Sequence, residues 1–156
     1  MNSDYTAIQH LNILLNNELM ASNHYLIQAK IYAKWGLDKL AARLQEDAIE
    51  EYEHAGTIIN KILDLQQQPS IHTYQLDLGN DVITMLKNNE KLEQQALADL
   101  KQAVAYFEKE QDYAFRLELC KIIEEDTLHL NWLHTQLHLI DKMGIKNYLQ
   151  LQVTNN

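Results

Sequence analysis

The stretches Glu51-Tyr52-Glu53-His54 and Asp126-Thr127-Leu128-His129 repeat one device, a carboxylate three residues before a histidine. Of the seven histidines, only His54 and His129 have an acidic residue at that spacing. On a helix, residues three apart lie on one face, so each pair aims an oxygen and an imidazole nitrogen at the same point. Two such pairs on two helices, with a glutamate from each of two more, form the ligand set of a four-helix bundle that binds two metal ions.

Working outward, the chain is punctuated by four glycines and one proline in 156 residues, so long helices are expected. Helical spacing is clear in four segments. The first runs from about Tyr5 to Trp35 with the stripe Ile8, Leu11, Leu15, Glu18, Ser22, Tyr25, Ala29, Tyr32, and Gly36 can stop it in a left-handed conformation. The second runs from about Asp38 to Leu65 through Leu40, Leu44, Ala48, Glu51, Ala55, Ile58 and Ile62. The third starts at the capping residues Asn80-Asp81 and carries Val82, Leu86, Asn89, Glu93, Ala96, Leu100, Ala103 and Phe107. The fourth starts near Asp112, carries Phe115, Leu119, Ile122, Asp126, His129, Leu133, Leu137 and Ile140, and ends at Gly144. A short amphipathic tail, Ile145 to Val153, reads as a fifth, small helix. The links around Gly36 and Lys109–Asp112 are short and join antiparallel neighbours, whereas Gln66–Gly79 is long enough to run the length of a bundle. The expectation is an all-α bundle connected up-down, crossover, up-down, with residues 1–156 forming one domain.

The acids fall in an informative place. Glu18, Glu51, Glu93 and Asp126 each interrupt an apolar stripe near the middle of its helix. Burying one unpaired carboxylate costs several kcal/mol, and four at one spot repel each other. No lysine or arginine occupies these stripe positions, so two divalent cations would balance the formal charge, with His54 and His129 completing the set. Such mixed ligation suits iron, manganese or zinc. A single carboxylate–histidine pair is common by chance and usually solvated; two pairs in alternate helices with stripe glutamates in the others form a conjunction. His10, His24, His72, His134 and His138 read as surface or core histidines, Met20, Met85 and Met143 as packing residues, and Cys120 as a small buried hydrophobe. Tyr25, on the stripe of Glu18, either hydrogen-bonds a ligand carboxylate or passes an electron to the centre, or is a core residue with a satisfied hydroxyl. Trp132 reads first as packing and second as a shield for the site.

Composition narrows the function classes. A net charge of −9 argues against nucleic acid as a partner and suits attraction of cations, although solubility explains it equally well. No apolar run approaches the roughly 18 residues of a membrane span. Met1-Asn2-Ser3-Asp4 lacks the basic flank of a secretory signal, and one cysteine precludes an internal disulfide; the cytoplasm is the simplest location.

With these residues in view, the chain resembles bacterioferritin over essentially its whole length. The segments that carry the resemblance are LNILLNNELMASNHYL (11–26), KWGLDKLA (34–41), EEYEHA (50–55), DVITMLKNNEKLE (81–93), QDYAFR (111–116) and LHLIDKMGIKNYLQLQ (137–152), the last containing the specific ending MG-x-x-NYLQ. The resemblance implies a five-helix subunit in a hollow 24-subunit shell, iron storage and detoxification, and oxidation of Fe(II) at a centre of two irons per subunit. It maps the ligands onto Glu18, Glu51, His54, Glu93, Asp126 and His129, with one bridging carboxylate from each histidine-bearing helix. It also implies an electron donor for iron release.

Two positions depart from the family pattern. Asp126 stands where a glutamate is usual, shorter by one methylene, about 1.5 Å of reach; it either binds one iron only or bridges with a shifted helix, and Glu125 is the neighbouring substitute, although it points off the stripe. Tyr52 stands where the family's haem-ligating methionine is usual, so no haem is expected in a shell of this chain alone. Both departures fit a subunit that co-assembles with a methionine-bearing one, either as an active ferroxidase or as a catalytically weak scaffold. Glu46, Asp47 and Glu50 read as surface acids that guide iron inward, nucleate mineral or simply solvate the helix. A rubrerythrin-like peroxidase is disfavoured by the single cysteine and a DNA-protecting dodecamer by the acidic charge and the intra-chain ligand set, while a di-manganese oxidoreductase has the same ligands.

Overall fold

The computed structural model describes residues 5–154; the N-terminal segment Met1–Asp4, read above for its lack of a secretory signal, lies outside them. Five helices follow in order: α1 Ala7–Lys34, α2 Asp38–Asp64, α3 Val82–Lys109, α4 Tyr113–Met143 and α5 Ile145–Leu151. The four long ones match the four stripes to within about two residues, and no strand is present among the described residues. No described helix is long and apolar enough to cross a membrane.

Local chemistry sets the ends. The Gln9 side chain accepts the Thr6 N–H at 2.8 Å, closing one half of a capping box at the start of α1. Asp81 accepts from Thr84 N–H at 2.8 Å and Asp112 from Phe115 N–H at 3.2 Å, starting α3 and α4. Gly36 (φ 76°) and Gly144 (φ 79°) supply the left-handed residues after α1 and α4. The ends of α2 and α3 use Gln66 (φ 57°) and Gln111 (φ 60°) for the same purpose.

The crossover 66–81 is held along one side of α1. Ser70 N–H donates to Asn12 Oδ1, and Asn16 Nδ2 donates to Ser70 O while its Oδ1 accepts His72 N–H. Tyr74 O–H donates to Leu19 O, Asn23 bonds Tyr74, and Gln28 Nε2 donates to Leu78 O. The loop numbers rise with the α1 numbers, so the crossover runs parallel to α1 and delivers α3 to the opposite end of the bundle. Helix α3 then returns antiparallel to α1: Gln28 meets Asn89, Tyr25 meets Glu93 and Asn17 meets Asp99. This is the expected up-down, crossover, up-down connection.

The core is in two halves. One gathers Tyr25, Tyr32, Leu40, Leu44, Leu86 and Leu133 with Tyr148 of α5. The other gathers Leu11, Leu15, Ile58, Leu100, Phe107 and Leu119. Helix α5 is fixed by Tyr148 O–H to Gln136 Oε1 at 2.7 Å and by Lys39 N–H to Gln152 O at 3.0 Å. Between α1 and α3 lies a buried chain in which His24 Nε2 meets Asn89 Oδ1 at 2.9 Å and Asn89 Nδ2 donates to Gln28 Oε1 at 2.7 Å. Cys120 is half-buried rather than buried, which corrects its reading as a core hydrophobe.

Asn89→Ala removes the middle of that chain and leaves His24 Nε2 and Gln28 Oε1 buried without their partner, while Gln28 Nε2 keeps Leu78 O. The expected loss is about 1–3 kcal/mol, read from denaturant unfolding of the metal-free protein beside the parent chain.

Candidate metal centre

Between the two half-cores, each long helix contributes acid to one point: Glu18 from α1, Glu51 and His54 from α2, Glu93 from α3, Asp126 and His129 from α4. All six are buried, none above 5% exposed. His54 Nδ1 lies 3.3 Å from Glu51 Oε2, 3.5 Å from Glu18 Oε2 and 3.6 Å from Asp126 Oδ1. His129 Nδ1 lies 2.9 Å from Glu93 Oε1 and 3.5 Å from Glu51 Oε1. These six residues form two ligand groups, Glu18–Glu51–His54–Asp126 and Glu51–Glu93–His129, in each of which the donor atoms lie within 4.8 Å of one another, and His54 also meets Glu50 and Glu125 in a third, less buried group. Glu51 belongs to both, one oxygen toward each imidazole. Asp126 belongs to the His54 group only, as its shorter side chain suggests.

The donors fit metal ions. Glu18 Oε1, Glu93 Oε2 and both oxygens of Asp126 are buried without a hydrogen-bond partner. Buried polar atoms of that kind are rare and call for a cation or protons. Carboxylate and imidazole donors suit iron, manganese or zinc.

In the bare protein, protons do the balancing. Burial pushes Asp126 up to about 9, helped by the charges of Glu51 and Glu93. Glu18 is also raised, first by burial and then by its hydrogen bond with Glu51, and Glu93 is raised by burial. Burial acts to raise Glu51 as well, but its hydrogen bonds with Glu18, His129 and His54 pull it below the ordinary range. Burial acts to lower both imidazoles, yet the carboxylates around them win: Glu18 and Glu51 hold His54 up at about 12, and Asp47, Glu51 and Glu93 do the same for His129.

The outward nitrogens have partners that sequence reasoning missed. Glu125 Oε2 sits 2.5 Å from His54 Nε2. Asp47 Oδ2 sits 2.8 Å from His129 Nε2, too oblique for a good hydrogen bond but close enough for an ion pair. Glu125 is thus on the far side of His54 from the ligand group and does not take the place of Asp126. Asp47, read as a surface acid, is buried; its signal was the i, i+4, i+8 alignment of Arg43, Asp47 and Glu51 on α2. Tyr25 is fully buried and its O–H donates to Glu93 Oε1, so its hydroxyl is satisfied by one of the candidate ligand carboxylates. Trp132 packs on the α5-side core and lies under the Arg43 guanidinium at 4.4 Å. Glu46 and Glu50 line, with Glu53 and Glu125, an acidic pocket open to solvent beside His54. A narrower cleft between α1 and α3 reaches Glu18, Glu51 and Glu93 past Asn17 and Leu92. Tyr52, beside Glu51 in sequence, is 67% exposed on the outside of α2.

A family model described as the ferritin-like domain matches residues 8–143 of this chain. The chain belongs to the ferritin-like family. This ferritin-like chain is 39% identical over 151 residues to a bacterial ferritin of Synechocystis sp., covering 94% of this chain and 96% of the relative. It is 34% identical over 154 residues to a bacterial ferritin of Neisseria meningitidis, covering 98% and 100%. A bacterioferritin of Brucella melitensis is 32% identical over 152 residues, covering 97% and 94%. The resemblance to bacterioferritins therefore extends over nearly the full chain, and the all-helical architecture agrees with it.

The protonation pattern makes a signed prediction. Asp126 keeps a proton in the folded chain up to about 9 that it loses near 3.8 unfolded, and His54 and His129 keep theirs to about 12 against 6.5. Unfolding between pH 7 and 10 therefore releases protons, and stability falls as pH rises. The unfolding midpoint of the metal-free chain should drop across that window. With a divalent metal bound those protons are already gone, so the slope should flatten, and loading metal in weak buffer should release acid.

Proposed function

We propose that the ferritin-like chain stores iron and oxidises it, taking two Fe(II) per subunit at Glu18, Glu51, His54, Glu93, Asp126 and His129. The observation that carries this reading is the pair of buried ligand groups sharing Glu51, with four carboxylate oxygens unpartnered. Family membership supports iron storage as the role. In this reading Fe(II) is the substrate. Two divalent ions offset the four carboxylates, so the loaded site is near neutral and bound iron displaces the resident protons. Glu51 spans both ions, while Glu18 and Asp126 complete one position and Glu93 the other. Tyr25 holds Glu93 at one oxygen and leaves the other free. Two irons side by side allow two electrons to pass together to one molecule of dioxygen or hydrogen peroxide, and the Fe(III) product moves on to a mineral core.

The proposal extends to residues 1–156 as one ferritin-like domain, to a cytoplasmic 24-subunit shell around that mineral, and to a separate reductant for iron release. Haem is not expected in the homo-oligomer, because Tyr52 offers a phenol where the resembling family has a methionine. A second reading is a catalytically weak subunit that co-assembles with a methionine-bearing one. The restriction of Asp126 to one ligand group favours it.

Stopped-flow absorbance on adding about two Fe(II) per chain in air tests the first reading. A fast phase saturating near two irons is expected, and Glu51→Ala or Glu93→Ala should abolish it while the shell stays assembled. A slow, unsaturating rise in the parent chain would leave the scaffold reading. A pyridine haemochrome assay on protein made with ample haem should give no signal; a stoichiometric signal would overturn the reading of Tyr52.

A further inference from the structure

The two imidazoles are held from behind in different ways. His129 Nε2 faces Asp47, whose side chain is 8% exposed. Asp47 is gripped in turn by Arg43, with Nε 3.0 and 3.3 Å from its two oxygens. The guanidinium lies over the Trp132 ring, 4.4 Å from its centroid, and a cation so placed is attracted to the ring face. Asp47 therefore has a fixed charge partner, a buried seat and a stacked cover. His54 Nε2 faces Glu125, whose side chain is 50% exposed. Around it stand Glu46, Glu50 and Glu53, with no cation in the pocket lining.

A carboxylate behind a metal-bound imidazole fixes the ring and its tautomer, and its loss typically weakens metal affinity or activity 10–100-fold. How firmly that carboxylate is itself held decides how readily the ring can swing off the ion. Swinging His129 away must break a buried contact backed by Arg43. Swinging His54 away breaks its hydrogen bond to Glu125, but that carboxylate is half-exposed, so water can take over on both sides.

We propose that Asp47, clamped by Arg43 and Trp132, is a positioning residue that makes the Glu51–Glu93–His129 position slow to release metal, while the Glu18–Glu51–His54–Asp126 position, backed by Glu125, exchanges quickly. The inference rests on the assignment of the two ligand groups as metal positions. It concerns rate rather than equilibrium affinity, since the His54 group has three carboxylates and the His129 group two. In this scheme both positions give up their product, and the His54 position, beside the acidic pocket, does so first.

Cobalt(II) reads this without turnover. The metal-free homo-oligomer is loaded anaerobically with two Co(II) per chain, and release to excess EDTA is followed by visible absorption. Two equal phases are expected. His54→Ala should remove the fast one and His129→Ala the slow one. Asp47→Asn should speed only the slow phase, by about tenfold or more, and Glu125→Gln should change only the fast one. Arg43→Gln, which leaves the carboxylate in place, should speed the slow phase by a smaller factor. It is the deciding variant if Asp47→Asn fails to assemble. Equal release rates for both ions, or a clamp substitution that speeds both phases alike or only the fast one, would overturn the inference while leaving the two-metal site standing. Binding of clearly fewer than two Co(II) per chain would overturn the site and this inference with it.

Discussion

The structure turns on four carboxylates placed where a helical bundle would otherwise be apolar. Their mutual repulsion, undiluted by solvent, must be balanced locally. Among the described residues no arginine or lysine pairs with these four carboxylates, so in the bare chain burial pushes Glu18, Glu93 and Asp126 toward their neutral forms and the carboxylates hold the two imidazoles toward their charged forms. Fold and chemistry are opposed here: the two apolar half-cores supply the cohesion, and the middle layer spends part of it to hold a site ready for cations.

Most of the fold was legible because its signals are local. The period of apolar residues outlines α1 to α4, and Gly36 and Gly144 mark two of the helix ends by the left-handed conformation that glycine adopts without strain. The other two ends are less visible, since Gln66 and Gln111 take that conformation with no compositional cue. The crossover was legible as a length; its path was not. That path depends on asparagine side chains of α1, which in sequence look like ordinary solvated residues.

The four buried carboxylates were legible for a related reason: an acid inside an apolar stripe is conspicuous. Asp47 and Glu125 were not, because each sits one or two positions off the stripe drawn through its helix. The buried face of α2 is wider than that line, taking in both Asp47 and Ala48. Nothing in the chain near Asp47 names His129, eighty-odd residues away, as its partner. Contacts that support a site from behind are tertiary facts, and one-dimensional periodicity loses them.

The crossover also carries a constraint on length. Its anchors on α1 run from Asn12 to Gln28, sixteen helical steps, or about 24 Å at ~1.5 Å each. The matching loop residues, Ser70 to Leu78, are eight steps, or about 26 Å at ~3.3 Å each. The segment is a strap drawn almost straight, with little slack. An extra residue can bulge into solvent, whereas with one residue fewer the strap would have to be fully extended to meet its last fastening. A stretch without regular secondary structure is in this respect less free to lose length than the helices it joins.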